Sequence, residues 1–452
     1  MNYVEMKRIK RITFHSLISE LKKSSNYIIT DNKFWLCFSP RNISLQLPSV
    51  GFKIHLSATL NNATDILDKF WHYIQHKNIA WKVIQDFRDL ERQNLGYNGY
   101  SQIGKFITIY PSTQNELLQL LQDLEIIYKP MKSISIPSDY SYMNSQVVYY
   151  RYGDIQNEGS TESKYVDKRN RTIPNNVTIP IDDYFIPHFH ELPSRLYLCG
   201  IHHISGKSSV YTAINLEAAS TVILKEASPL HDLDIHGVDA INRLHHEKII
   251  LKKISKFSFA PKFLSDFYID DHYFLVMSKL PGESLFSLLK NGGKLSIKQI
   301  LFIIRKIICI VHTLQKKGIQ YSDISLTNVL FDQKSVYLVD YEYCQLNSGL
   351  NLPEILAGAL GFYPIEYPFN DIKRTIYAIA ALLLNIEFFD DYSRILYQDS
   401  ENDMYKRIED RFYKSSYFNK IYDKAFTFNY TNLSEFLAEL KSTVRHYTSE
   451  NK

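Results

Sequence analysis

YSDISLTNVLF (Tyr321–Phe331) and YLVDYE (Tyr337–Glu342) decide how the C-terminal half of this chain folds. The first stretch carries Asp323 and, after four intervening residues, Asn328; the second ends an apolar run on Asp340. Phosphoryl transfer from a nucleoside triphosphate needs a carboxylate near the attacking hydroxyl and an amide oxygen on magnesium. It also needs a second carboxylate joining magnesium to the phosphates. One loop-and-strand unit offers all three, with Asp323 in the catalytic place and Asn328 and Asp340 as the metal-binding pair.

Moving upstream, TVILKEA (Thr221–Ala227) sets Lys225 inside a strand, where its ammonium can hold the α- and β-phosphates. Glu247, in the helix-like DAINRLHHEKIILKKI, is the expected partner of that lysine, and FLVMSKLPGESL (Phe274–Leu285) reads as the strand and hinge that hold an adenine. Downstream, GFYPIE (Gly361–Glu366) and the apolar helix from Asp371 follow. Taken singly these residues are commonplace; in this order they resemble the protein kinase fold. That resemblance implies ATP, or another nucleoside triphosphate, and Mg2+. Three departures accompany it. GIHHISGKSSVY keeps Gly200 and Gly206 but lacks a GxGxxG core, so the phosphates are expected to be covered differently or held weakly. No Arg precedes Asp323, which disfavours control by activation-loop phosphorylation. Tyr-Glu follows Asp340 where most kinases have Phe-Gly.

The whole chain has 452 residues, enough for two or three domains at about 150 residues each. Hydrophobic residues at 45% and charged residues at 22% mark a folded globular protein and exclude a disordered one. A formal net charge of +4 is too small to indicate a nucleic-acid partner. Cys37, Cys199, Cys309 and Cys344 form no CxxC or Cys/His cluster, which argues against structural zinc and a disulfide framework. The N-terminus lacks the apolar core of a signal peptide. The longest apolar stretch, Ile376 to Leu384, is too short to span a bilayer and reads as a buried helix. A cytoplasmic location is the simplest expectation.

Strand-like runs fill the first half: FKIHLSATL (Phe52–Leu60), WKVIQDF (Trp81–Phe87), KFITIYP (Lys105–Pro111) and VVYYRYG (Val147–Gly153). Thr113 and Glu116 form a capping box ahead of a leucine-rich helix. From Gln156 to Pro193 the chain turns polar and proline-punctuated, which predicts a surface loop and a domain boundary. The expected architecture is α+β, with one domain over 1–190 and a two-lobed domain over 194–452.

Lys53 and His55 are two apart, so in a strand they share one face; Lys82, Lys105 and Arg151 lie on the neighbouring strand-like runs. A cluster of cations among apolar residues is costly unless an anion compensates it. Such a cluster suits β-elimination of phosphate from phosphoserine or phosphothreonine. A neutral amine takes the Cα proton, a protonated imidazole donates to the departing oxygen, and the other cations hold the dianion.

GFKIHLSATLNNATDIL, WK, GKFITIYP and VVYYRYGD, followed by SDISLTNVL and VDYE, resemble the lyase and kinase-like regions of class III and IV lanthipeptide synthetases. The resemblance implies a phosphothreonine-lyase-like N-terminal domain, with Lys82 as general base and His55 as general acid. Lys53, Lys105, Arg151 and Arg169 are then phosphate contacts. Tyr100 stands where a further basic residue is expected. It implies that Ser and Thr of a ribosomal precursor peptide, carried on a leader segment, are phosphorylated and then dehydrated. No cysteine follows Cys344, so the family's zinc cyclase is not expected here, and ring closure would fall to a separate cyclase or to spontaneous thiol addition. Two other readings compete. One is a Ser/Thr kinase whose N-terminal domain only binds phosphopeptide; the other is a pseudokinase scaffold.

Overall fold

The structure, a computed structural model, describes residues 3–450 apart from 42–46, 156–191, 207, 322, 348–371 and 391–415. Arg169, the GFYPIE segment and Asp371 lie outside the described residues. The chain forms two compact units. The first is Met1–Ala219, Leu224–Asn242 and Phe267–Phe274; the second is Ser220–Ile223, Arg243–Asp266 and Leu275–Lys452.

The first unit begins with α1 (Tyr3–Leu21), β1 (Tyr27–Asp31), β2 (Trp35–Pro40), β3 (Val50–Ser57), α2 (Ala63–Ile74) and β4 (Ala80–Ile84). It continues through α3 (Phe87–Asn94), β5 (Lys105–Tyr110), α4 (Gln114–Tyr128), β6 (Tyr140–Ser141) and β7 (Val148–Asp154). The strands build one seven-stranded sheet, β1-β2-β4-β5-β3-β7-β6. Every neighbouring pair is antiparallel.

Alternation along these strands separates two chemistries. Phe52, Ile54 and Leu56 of β3, Trp81 and Val83 of β4, and Ile107 and Ile109 of β5 join one apolar cluster. Against them lie Phe14, Ile18 and Leu21 of α1, Ile66, Leu67, Phe70 and Ile74 of α2, and Leu117, Leu120, Leu121 and Leu124 of α4. The helical residues recur at three- and four-residue steps, the spacing that gathers them on one face. Each fully buried Leu, Ile or Phe there contributes about 1.5–3 kcal/mol, which anchors the sheet firmly enough to carry polar groups on its other face. Thr113 caps α4 by accepting the Glu116 N–H at 3.2 Å. The return arm of that box closes one residue earlier, with Glu116 Oε2 accepting from the Ser112 N–H at 2.6 Å.

A second sheet, of order β11-β12-β10-β9-β8, is formed by β8 (Leu196–Ile204), β9 (Ser209–Asn215), β10 (Ser220–Ala227), β11 (Phe263–Ile269) and β12 (His272–Ser278). The β11–β12 turn holds Asp270 at φ +52. Between β10 and β11 runs α5 (Ala240–Lys253). The second unit goes on with β13 (Glu283–Ser284), α6 (Leu285–Lys290), α7 (Ile297–Lys316) and β14 (Ile319–Gln320). Next come β15 (Val329–Phe331), β16 (Val336–Leu338) and β17 (Gln345–Leu346), and then the helices α8 (Ile372–Glu387), α9 (Asn419–Phe426) and α10 (Leu433–Glu450). A complete capping box, Ser296 with Gln299, opens α7, and Gly318 at φ +69 follows its end. The stretch Ile376–Leu384 is buried within α8. Among the described residues no helix is long and apolar enough to cross a membrane.

The hairpin between β8 and β9 ends in a tightly held tip. The Gly206 N–H donates to Leu95 O at 3.2 Å, and Gly206 O accepts from His231 Nδ1 at 2.8 Å. On its other side the His231 ring accepts from Ser135 Oγ at 3.0 Å. Burial lowers the His231 pKa, which suits this neutral, one-donor, one-acceptor role. A Cβ at position 206 would stand 1.8 Å from Asn94 O, whereas one at Gly200 would meet nothing within 4 Å. Gly206→Ala is therefore expected to destabilise the fold by about 1–3 kcal/mol, with Gly200→Ala close to neutral; thermal denaturation of the two variants checks this.

Candidate active site

The polar face of the seven-stranded sheet gathers the N-terminal cations. Register sets Lys82 of β4 opposite Thr108 of β5, Thr108 opposite His55 of β3, and His55 opposite Tyr149 of β7. Directly paired residues share a face, so these four form one row across the strands. Lys53 sits two residues before His55 and faces Arg151. Lys53, His55, Lys82 and Lys105 are all buried. Aromatic rings wall the row: Lys82 Nζ lies 4.4 Å from the centre of the Trp35 ring and 6.0 Å from that of Tyr110. Lys53 Nζ lies 5.9 Å from the Tyr110 ring.

Lys105 reaches this face through an irregularity. Strict alternation would put it with Ile107 and Ile109 on the apolar side. A register shift between Leu56 and Ser57 instead pairs Ser57 with Lys105, and Phe106 turns into the core. A bulge of this kind re-aims one side chain without breaking the sheet.

Asp139, which sequence reasoning did not single out, lies among these cations. Its Oδ2 is hydrogen-bonded to His55 Nδ1. Its Oδ1 lies 3.1 Å from Lys105 Nζ and accepts from Ser138 Oγ at 2.8 Å. Burial by itself would raise the Asp139 pKa, but His55 and Lys105 outweigh it and hold the carboxyl well below its usual range. For His55, burial lowers the pKa; Asp139 opposes that and Lys105 and Lys53 add to it, leaving it at about 4. The imidazole is thus neutral at neutral pH until an anion arrives, and an anion among these cations favours its charged form.

In the second unit the β15–β16 register pairs Val329 with Leu338, and Val339 N–H donates to Asn328 O at 3.0 Å. Asn328 and Asp340 consequently lie at the same end of one hairpin. Asn328 Nδ2 donates to Asp323 Oδ2 at 2.8 Å and to Asp323 O at 3.1 Å. Asn328 Oδ1 accepts from Thr327 Oγ1 at 3.3 Å and keeps a second lone pair that can meet a cation. Asp340 adopts φ +65, a left-handed conformation that costs an L-residue energy and marks functional turns. Oxygen donors from one amide and one carboxylate, with phosphates completing the shell, fit Mg2+.

Glu247 is fully buried in α5, and its Oε1 accepts from the Tyr341 N–H at 3.0 Å. Tyr341 packs edge-on against Tyr321 at 5.1 Å, and the Tyr321 hydroxyl donates to Val339 O at 2.6 Å. The Tyr after Asp340 therefore belongs to an aromatic brace under the loop. Lys225 is buried in β10, within the first unit.

Two family models match in tandem along the chain. The RamC N-terminal domain matches residues 18–193, and the protein kinase domain matches residues 205–366. This chain joins a RamC N-terminal domain to a protein kinase domain. It is 26% identical over 342 residues to a probable SapB synthase of Streptomyces coelicolor, covering 68% of this chain and 36% of that protein. It is 27% identical over 160 residues to the Homo sapiens cAMP-dependent protein kinase catalytic subunit PRKX, covering 31% and 44% respectively. Protein kinase C delta type of Homo sapiens is 30% identical over 102 residues, 22% of this chain and 15% of that one. The chain thus spans less than half the length of each of these relatives. Its kinase domain implies the use of ATP and, typically, Mg2+.

Asp139 carried no periodic signal, because PSDYSY reads as an ordinary turn. Thr108 was accessible to sequence reasoning, since it alternates with Ile107 and Ile109 in KFITIYP.

Proposed function

We propose that this chain dehydrates Ser and Thr residues of a ribosomal precursor peptide in two steps, as in lanthipeptide biosynthesis. The domain over 194–452 phosphorylates the hydroxyl and the domain over 1–190 eliminates the phosphate. In the first step Asp323 accepts the hydroxyl proton as oxygen attacks the γ-phosphorus. Lys225 and Glu247 serve the nucleotide, and Asn328 and Asp340 hold Mg2+. When bound, that ion neutralises charge developing on the phosphates.

In the second step the phosphate sits against Lys53 and Arg151. Lys82 removes the Cα proton, the Cα–Cβ double bond forms, and the Cβ–O bond breaks toward the phosphate. His55, charged by the arriving dianion, gives its proton to the leaving oxygen. The product is dehydroalanine or dehydrobutyrine with inorganic phosphate. Arg169, outside the described residues, is the further assigned phosphate contact, while Lys105, which the sequence reading also assigned to the phosphate, lies 3.1 Å from Asp139 Oδ1. The peptide binds through a leader segment.

The observation that carries this reading is the row Lys82–Thr108–His55 on one buried face, beside the facing pair Lys53–Arg151. Base and acid then approach one substrate from the same side, about 10 Å apart at the backbone across two strand spacings. The test incubates the protein with ATP, Mg2+ and the short peptides encoded beside its gene, followed by intact mass. Loss of water is expected. Gain of phosphoryl groups alone would keep the kinase and remove the lyase. Failure to act on those peptides and on a synthetic phosphopeptide would leave a scaffold.

A further inference from the structure

A buried carboxylate is out of place in a pocket built to hold a phosphate dianion, because it repels the substrate and weakens the cations. Asp139 is nonetheless there, its side chain fully buried, bonded to His55 Nδ1 through one oxygen and to Lys105 through the other. An ionised carboxylate is acceptor-only, so His55 must carry its proton on Nδ1 in this contact. That leaves Nε2 as the nitrogen that can take a proton and deliver it. Lys105 is brought to the same carboxylate by the register shift at Leu56/Ser57, a local distortion of the sheet whose product is this ion pair.

Resting on the elimination reading above, we propose that Asp139 is a positioning residue that fixes the His55 tautomer and aims Nε2 at the leaving phosphate. In the same assignment, Lys105 serves Asp139 and is not a phosphate contact. The groups facing His55 are then Lys53 on its own strand, Thr108, Lys105 and, beyond Thr108, Lys82 on β5 and β4, Tyr149 and Arg151 on β7, and Asp139. Of these side chains only Asp139 is anionic, so it is the one that joins the arriving phosphate in favouring the imidazolium that proton donation requires. Lys105 keeps it ionised despite burial.

The test compares two leaving groups in the full chain. A synthetic phosphoserine peptide needs a proton on its departing oxygen, whereas the matching O-sulfonated serine peptide expels sulfate without one. Asp139→Asn is expected to slow elimination from the phosphopeptide by about 10²-fold and to leave the sulfopeptide rate within about twofold, the scatter of a neutral change. The alkaline limb of the phosphopeptide kcat profile should move to lower pH by about one unit. Lys105→Met should leave KM for the phosphopeptide near wild type and move that limb upward. Because Asp139→Asn strands a buried ammonium, the double variant Asp139→Asn/Lys105→Met is made alongside and should show the same leaving-group selectivity. Equal losses on both peptides, or no loss on either, would overturn the positioning role. A large rise in KM for Lys105→Met with kcat preserved would return Lys105 to the phosphate. If the wild-type chain eliminates from neither peptide, the elimination reading itself falls, an outcome distinct from the variant results.

Discussion

Replacing Asp323 by Asn is expected to cut phosphorylation of a peptide substrate by about 10²–10⁴-fold, the usual contribution of a positioned general base. Elimination from a synthetic phosphopeptide should continue at the wild-type rate. The first half of that expectation rests on geometry. Asp323 is buried, and its Oδ2 is the acceptor that orients the Asn328 amide. Asn at 323 keeps the shape but no longer accepts a proton, and an amide oxygen is a weaker acceptor for Asn328 Nδ2 than a carboxylate. Both the base and the grip on a metal-facing amide are weakened at once. The second half rests on separation of parts. Lys53, His55, Lys82, Lys105, Asp139 and Arg151 all belong to the first unit, and Asp323 belongs to the second. The measurement is paired: intact mass of peptide with ATP and Mg2+, and phosphate release from a phosphopeptide without nucleotide. Undiminished phosphorylation would remove Asp323 from its role. A parallel loss of elimination would mean that the variant has damaged the fold at large.

The parts of this molecule that were legible in the sequence are those where one local rule acts alone. Alternation in FKIHLSATL and WKVIQDF placed Lys53 and His55 on one strand and Lys82 on another, and β3 and β4 contain them. Thr113 and Glu116 announced α4, and the apolar stretch Ile376 to Leu384 is buried in α8. What escaped was decided by longer-range geometry. No residue pattern in KFITIYP reveals that Lys105 is turned to the polar face, because the cause is a register shift in the neighbouring strand. Asp139 lies 84 positions from His55, and only the folded sheet brings the two together. The basic helix α1 went unread for a related reason. Among the described residues its buried ones, Phe14, Ile18 and Leu21, lie in its second half, so its apolar stripe is short. Tyr341, noted only as a departure from Phe, turned out to brace the loop through Tyr321 and to donate its N–H to Glu247.

On the proposed two-step dehydration, Lys82→Ala is expected to leave a kinase whose product accumulates. Phosphopeptide should build up while the rate of phosphoryl transfer stays unchanged, and water loss should fall by about 10²–10⁴-fold. The decisive companion is Lys82→Arg. Arginine keeps the positive charge and can still stack on Trp35, whose ring now lies 4.4 Å from Lys82 Nζ. It cannot give up a proton at any working pH, so it cannot serve as a base. If Lys82 abstracts the Cα proton, Ala and Arg variants should be equally inactive in elimination. If Lys82 only steadies the phosphate, Arg should retain most of the rate and Ala should lose it chiefly through KM. Register favours the first outcome: Lys82 lies across Thr108 from His55, whereas the facing cations Lys53 and Arg151 lie in the next row. A substrate phosphate seated between Lys53 and Arg151 and protonated by His55 would leave its Cα hydrogen on the Lys82 side. Equal inactivity of the two variants on phosphopeptide, with phosphorylation intact in both, is the result that would establish the base.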